Sequence, residues 1–203
     1  MGTFLAFRAR QSRSRRSASV AAQGTRLACR PALRETSPVF TIRCTQALLK
    51  RVAPSPPSSD SPEPTTVLGD WYATTLNVGR LRLLLCSSER SLLTVIIPAA
   101  PLRSFPERLE LAAARVLSQL AVAPDSIERE LREMRRHQFG RTRSRQILGS
   151  MNDFGFLAEH FIRDDGADVD LARIEHMLNR APCRPIQYQS PDRLVPALFR
   201  SAS

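Results

Sequence analysis

Between Trp71 and Ile97 the chain places three strand-like apolar segments within 27 residues, and this spacing constrains the fold more than any other feature. Trp71 to Leu76 is the first, followed by a turn at Asn77-Val78-Gly79-Arg80. Leu81, Leu83 and Leu85 alternate with Arg82 and Leu84 in the second, and Ser87-Ser88-Glu89-Arg90 turns the chain again. Leu92 to Ile97 is nearly all apolar and β-branched, as expected of a central strand covered on both faces. Parallel neighbours need a crossover of about a dozen residues or more, so links this short predict an antiparallel meander ending at Pro98.

Upstream, Phe40 and Ile42 alternate with Thr41 and Arg43 as in a short half-buried strand, and Ala47, Leu48, Leu49 and Val52 suit a short helix. Residues 53–66 hold five prolines and several serines and read as a Pro/Ser-rich surface loop. Downstream, the period changes to that of helices. Ser104 and Glu107 form a capping box with Pro106 in the first turn, ahead of an apolar face from Leu109 to Leu120. Pro124 opens a second helix through Ile127, Leu131 and Met134. Ser150 and Asp153 offer a further capping box for a helix carrying Phe154, Leu157, Ala158 and Phe161. Asp170 caps a helix that Pro182 terminates, and a closing helix spans about residues 192–199. Strands first and helices afterwards predict a single α+β domain over 39–203, a small antiparallel sheet of about four strands packed by four to six helices.

Charge is unevenly spread. The 203 residues carry a formal +11, but residues 1–38 hold eight arginines and one acid, whereas 39–203 hold 22 basic and 18 acidic residues, a net of +4. The body is therefore only mildly basic, which weakens a nucleic-acid reading drawn from the whole-chain charge. Residues 1–38 lack apolar periodicity and read as a disordered or mis-assigned extension; Val39 is a candidate start, since a GTG codon encodes Val and initiates translation in bacteria. Thr3 to Phe7 is too short for a secretory apolar region. Lys50 is the only lysine, and this arginine bias, with abundant Ala and Pro, points to a GC-rich bacterial genome. Cys29, Cys44, Cys86 and Cys183 form neither a CxxC pair nor a zinc pattern, and read as reduced thiols of a cytoplasmic protein. Leu92 to Leu102 is too short for a bilayer and contains two prolines, so no membrane association is expected.

The chain has no phosphate-binding GxxxxGK[ST], GxGxxG, GxSxG or HExxH. Glu159-His160 and Glu175-His176 are adjacent pairs whose side chains diverge by about 100° on a helix, so neither chelates by spacing. No metal and no cofactor is expected. Three segments remain. Leu68-Gly69-Asp70-Trp71-Tyr72-Ala73 sets the only tryptophan beside an acid: a carboxylate against an aromatic wall, or a turn leading aromatics into the core. Residues 132–145 carry six arginines and one glutamate, and Arg141, Arg143 and Arg145 run into a predicted helix start at Gly149-Ser150. Arginine forks next to helical N–H groups suit a phosphate or carboxylate. Asn152 and Asp153 would lie in the first turn as caps; the sharper alternative makes Asp153, with Asp70, a general base or metal ligand. Leu178-Asn179-Arg180-Ala181-Pro182 reads as a helix stop.

Ile42-Arg43-Cys44-Thr45 with Leu48-Leu49-Lys50, Leu68 to Ala73, Leu148-Gly149-Ser150-Met151-Asn152-Asp153-Phe154, and Leu178 to Pro182, in that order, resemble a bacterial family known only as a domain of unknown function. The resemblance covers about residues 39–199, departs at Cys183, and implies no catalytic assignment. The reading that follows is a small cytoplasmic, non-enzymatic module recognising an anionic partner. Arg141, Arg143, Arg145, Ser150, Asn152, Asp153, Asp70 and Trp71 are its candidate binding residues, and a phosphate-bearing ligand, nucleic acid or a protein its candidate partners. The alternatives are a hydrolase or nuclease-like enzyme using Asp70 and Asp153 with Arg143 and Arg145, and a regulatory protein-interaction subunit.

Overall fold

A computed structural model describes residues 40–53, 63–166 and 168–202. The predicted extension at 1–38 and the middle of the Pro/Ser-rich loop lie outside the described residues. The fold is α+β, with five strands and six α-helices among the described residues. The strands are β1 (Phe40–Cys44), β2 (Trp71–Val78), β3 (Leu81–Ser88), β4 (Thr94–Pro98) and β5 (His137–Arg141). The helices are α1 (Gln46–Val52), α2 (Phe105–Gln119), α3 (Pro124–Met134), α4 (Arg145–Asp165), α5 (Leu171–Asn179) and α6 (Pro191–Ser201).

The predicted meander is present: β2 pairs antiparallel with β3, and β3 with β4. The sheet as a whole is not antiparallel, however. Its order is β4-β3-β2-β1-β5, and β1 runs parallel to both neighbours, so the sheet is mixed and has one more strand than expected. Parallel pairing is possible because residues 45–70 and 45–136 carry the chain back across the layer before β2 and β5 begin. Strand β5 was hidden because His137-Gln138-Phe139-Gly140-Arg141 offers only one large aliphatic or aromatic side chain besides the histidine. Its strand character comes from pairing with β1, a case of tertiary context overriding propensity.

Alternation along β1 assigns the two faces. Phe40, Ile42 and Cys44 join Trp71, Ala73, Leu84, Cys86, Val95 and Ile97 under α1, α2, α3 and α6. Tyr72, Leu76, Leu83, Leu85 and Ile96 pack on the other face under α4 and α5. Each large apolar side chain fully buried this way stabilises the fold by about 1.5–3 kcal/mol. Strand β4, predicted to be central, lies at the sheet's edge, and α5 covers that edge with polar groups. Asn179 accepts from the Thr94 N–H and donates to the Thr94 carbonyl, both at 2.8 Å, and Glu175 accepts from the Ile96 N–H at 2.6 Å. Two side chains one helical turn apart thus replace the ladder a neighbouring strand would supply, hence the apolar reading of β4.

Candidate anion site

Helix α4 starts earlier than predicted. Ser144, not Ser150, is its N-cap, accepting from the Ile147 N–H at 3.3 Å, and Gly149, Ser150, Asn152 and Asp153 all lie inside the helix. The Ser150 and Asp153 capping box does not form, because Ile147 is buried and extends the apolar stripe Met151, Phe154, Ala158 and Ile162 by a turn. The correction moves the helix start onto the arginines. Arg143 directly precedes the cap, Arg145 is the first helical residue, and Arg141 ends β5. All three are exposed. Among the described residues Arg141 and Arg145 have no carboxylate partner, whereas Arg143 pairs with Glu89 at 3.0 Å and lies 3.5 Å from Asp70.

Asp70 is fully buried at the head of β2. Its position is built locally. Gly69 has φ +76°, and a Cβ there would come within 3.0 Å of the Arg90 side chain. Thr66 donates to the Gly69 carbonyl, and Glu130 of α3 accepts from the Val67 and Leu68 N–H groups at 2.7 and 3.0 Å. So held, Asp70 accepts from the Thr41 N–H at 2.8 Å and from Arg43 Nε at 2.6 Å. Arg43, on the opposite strand face from Ile42, is buried as well, and its Nη1 donates to the Arg141 carbonyl at 3.2 Å. Gly140 leaves room for the neighbouring Thr41 side chain: a Cβ there would stand 2.5 Å from Thr41 Cγ2.

Arg43 and Tyr72 are direct cross-strand partners in the β1–β2 register. Both are buried, and each keeps one unsatisfied polar atom, Arg43 Nη2 and Tyr72 Oη. The Tyr72 hydroxyl lies beside the Arg143 guanidinium without meeting it in hydrogen-bond geometry. Burial, then the Glu89 charge, pushes the Tyr72 phenol upward against the opposing pull of Arg43 and Arg143. Partial burial works against the Arg143 charge, but Glu89 and then Tyr72 and Asp70 hold its pKa up.

The predicted residues therefore divide. Asp70, Arg143 and, through its carbonyl, Arg141 come together. Trp71 faces the opposite side of the sheet, inside the core, and offers no aromatic wall to Asp70. Asn152 and Asp153 are exposed on α4, and Asp153 lies about 12 Å along the helix axis from its start. Its charge reaches Cys183, whose thiol burial, then Asp153, raises to about 11. The sequence reading missed Arg43, Tyr72 and Glu89. Alternation in β1 placed Arg43 off the core face, but only the register showed what it meets.

The protein is thus an α+β domain with a buried arginine–aspartate pair beneath an exposed arginine rim. It belongs to the family "Domain of unknown function (DUF6933)", whose sequence profile matches residues 41–194. No curated protein and no solved structure matches the chain. Among the described residues no group of His, Cys, Asp and Glu could hold a metal ion, and no helix is long and apolar enough to cross a membrane.

Proposed function

We propose that this protein is a non-enzymatic, cytoplasmic binding module that recognises an anionic group on its partner through Arg141, Arg143 and Arg145. The observation that carries the reading is the placement of these three exposed arginines around the start of the 21-residue helix α4. The first N–H groups of a helix lack intrahelical acceptors and carry the positive end of its dipole, and guanidinium groups beside them favour an anion. A phosphate-bearing ligand, a nucleic acid end or an acidic protein segment satisfies this chemistry. The hydrolase alternative requires Asp70 and Asp153 to converge. Asp70 has its oxygens engaged by Thr41 and Arg43, and Asp153 stands exposed on α4 near Cys183, which gives that alternative no geometric support.

Thermal shift and titration of the full chain against mononucleotides, a single-stranded oligonucleotide and an acidic peptide test the reading, at low and moderate salt. Binding raises the melting temperature and weakens as salt rises. Arg141→Glu with Arg145→Glu, both at exposed positions, lowers affinity at least tenfold at low salt with little change in stability. Binding that ignores salt or survives the double reversal overturns the proposal.

A further inference from the structure

We propose that the anion recognised here is a terminal phosphate, whose oxygens reach past the rim to Arg43 Nη2 and Tyr72 Oη. The inference rests on the function proposed above and specifies its ligand. Two buried polar atoms without partners stand on directly paired residues of β1 and β2. Leaving such a group unsatisfied costs about 1–3 kcal/mol, and native proteins keep few of them. An arginine with Nε on Asp70 and Nη1 on the Arg141 carbonyl is held rigidly, and its remaining N–H groups are aimed rather than free to search. Tyr72 sits within electrostatic range of Arg43, Arg143 and Glu89, so the orphaned hydroxyl and the two guanidinium groups belong to one cluster.

The chemistry of the donors selects the ligand. Arg43 Nη2, the Tyr72 hydroxyl and the Arg143 guanidinium all donate, and the N–H groups at the start of α4 follow two residues after Arg143. Donors from three separate side chains and a helix start outnumber the two oxygens of a carboxylate and suit an oxoanion with three free oxygens. The burial of Arg43 and Tyr72 favours a chain end, because a terminal monoester phosphate can insert between side chains where a phosphodiester within a strand cannot.

Two carboxylates border the cluster. Asp70 stays with Arg43 and Thr41. Glu89 occupies Arg143 and lies 3.4 Å from the Asp70 N–H, so it must swing outward for the phosphate to enter. Arg143 is half exposed, and a pair this open is released at little cost. With Glu89 in place the four charges of Arg43, Asp70, Glu89 and Arg143 cancel; with Glu89 displaced, a net positive charge faces the ligand. Glu89 is thus the internal carboxylate with which the ligand competes.

Calorimetric titration of the full chain with inorganic phosphate and a mononucleotide, against acetate and an oligonucleotide lacking terminal phosphates at matched ionic strength, tests this. Phosphate and the mononucleotide bind saturably and acetate does not. Tyr72→Phe weakens phosphate at least tenfold with little change in melting temperature, because the hydroxyl it removes makes no close hydrogen bond and only stands beside Arg143. Glu89→Gln strengthens phosphate binding severalfold. Equal binding of acetate, unchanged binding by Tyr72→Phe, or a Tyr72→Phe variant that melts several degrees lower overturns the inference. If Tyr72→Phe is without effect while the Arg141 and Arg145 reversal abolishes binding, the buried subsite falls and the arginine rim stands. If no anionic ligand binds at all, both fall.

Discussion

Asp70 shows how one side chain can tie a β-strand start to a tertiary crossing. It satisfies the Thr41 N–H and neutralises Arg43 while fully buried. An ion pair this deep contributes little net stability compared with an apolar pair, but removing one partner strands the other charge. Asp70→Asn therefore costs about 3–5 kcal/mol in urea unfolding, the usual cost of breaking a buried pair. A loss below about 1 kcal/mol would mean that Arg43 finds another acceptor. The acid was conspicuous in the sequence, but its role was not: residues 70 and 43 are separated by 27 positions, and no local pattern encodes which strand register brings them together.

Among the elements, α5 and β4 form the least expected partnership. The sequence reading took Leu178-Asn179-Arg180 for a helix stop, and α5 does end at Asn179. Its terminal residue also mimics a neighbouring strand by offering one acceptor and one donor to Thr94. Asn179→Ala leaves a buried N–H and a buried carbonyl without partners, at about 1–3 kcal/mol for each group left unmade. Amide hydrogen exchange at Thr94 and Ile96 should quicken more than at the β2–β3 ladder; uniform change across the sheet would count against a local edge role. Long amphipathic helices and the meander were legible because their periods repeat over many residues. Strand β5 and the start of α4 were not, since one depends on β1 for its identity and the other on which of two serines precedes the apolar stripe.

For the molecule as a whole, two buried glutamates set an unusual acid response. Burial raises Glu130 and Glu175 above the ordinary value of 4.5, and it outweighs their backbone hydrogen bonds and, for Glu175, Arg115. The folded state therefore holds these protons to higher pH than the unfolded chain does. Their contribution to stability is fully present below about pH 4.5 and is lost as pH rises through the raised folded values. Glu130→Gln with Glu175→Gln should flatten that part of the stability profile measured by denaturant titration between pH 4 and 7; an unchanged slope would assign the response elsewhere. The α+β class followed from the sequence, whereas the meeting of Asp70 with Arg143 did not, because it depends on how β1, β2 and β5 pair. The mixed sheet did not, because parallel pairing of β1 is decided by long crossovers whose residues carry no pairing signal.

The interior position of β1, between β2 and β5, bears on the order in which the chain can assemble as it leaves the ribosome. Among the described residues, the first strand to emerge lies between two others, one beginning at residue 71 and the other ending at residue 141. A nascent chain that has exposed the meander, which ends at Pro98, can pair β1 on one side only; its second edge waits about forty further residues for β5. Over that interval the growing polypeptide displays an open β edge, with unpaired N–H and C=O groups that can pair with another chain.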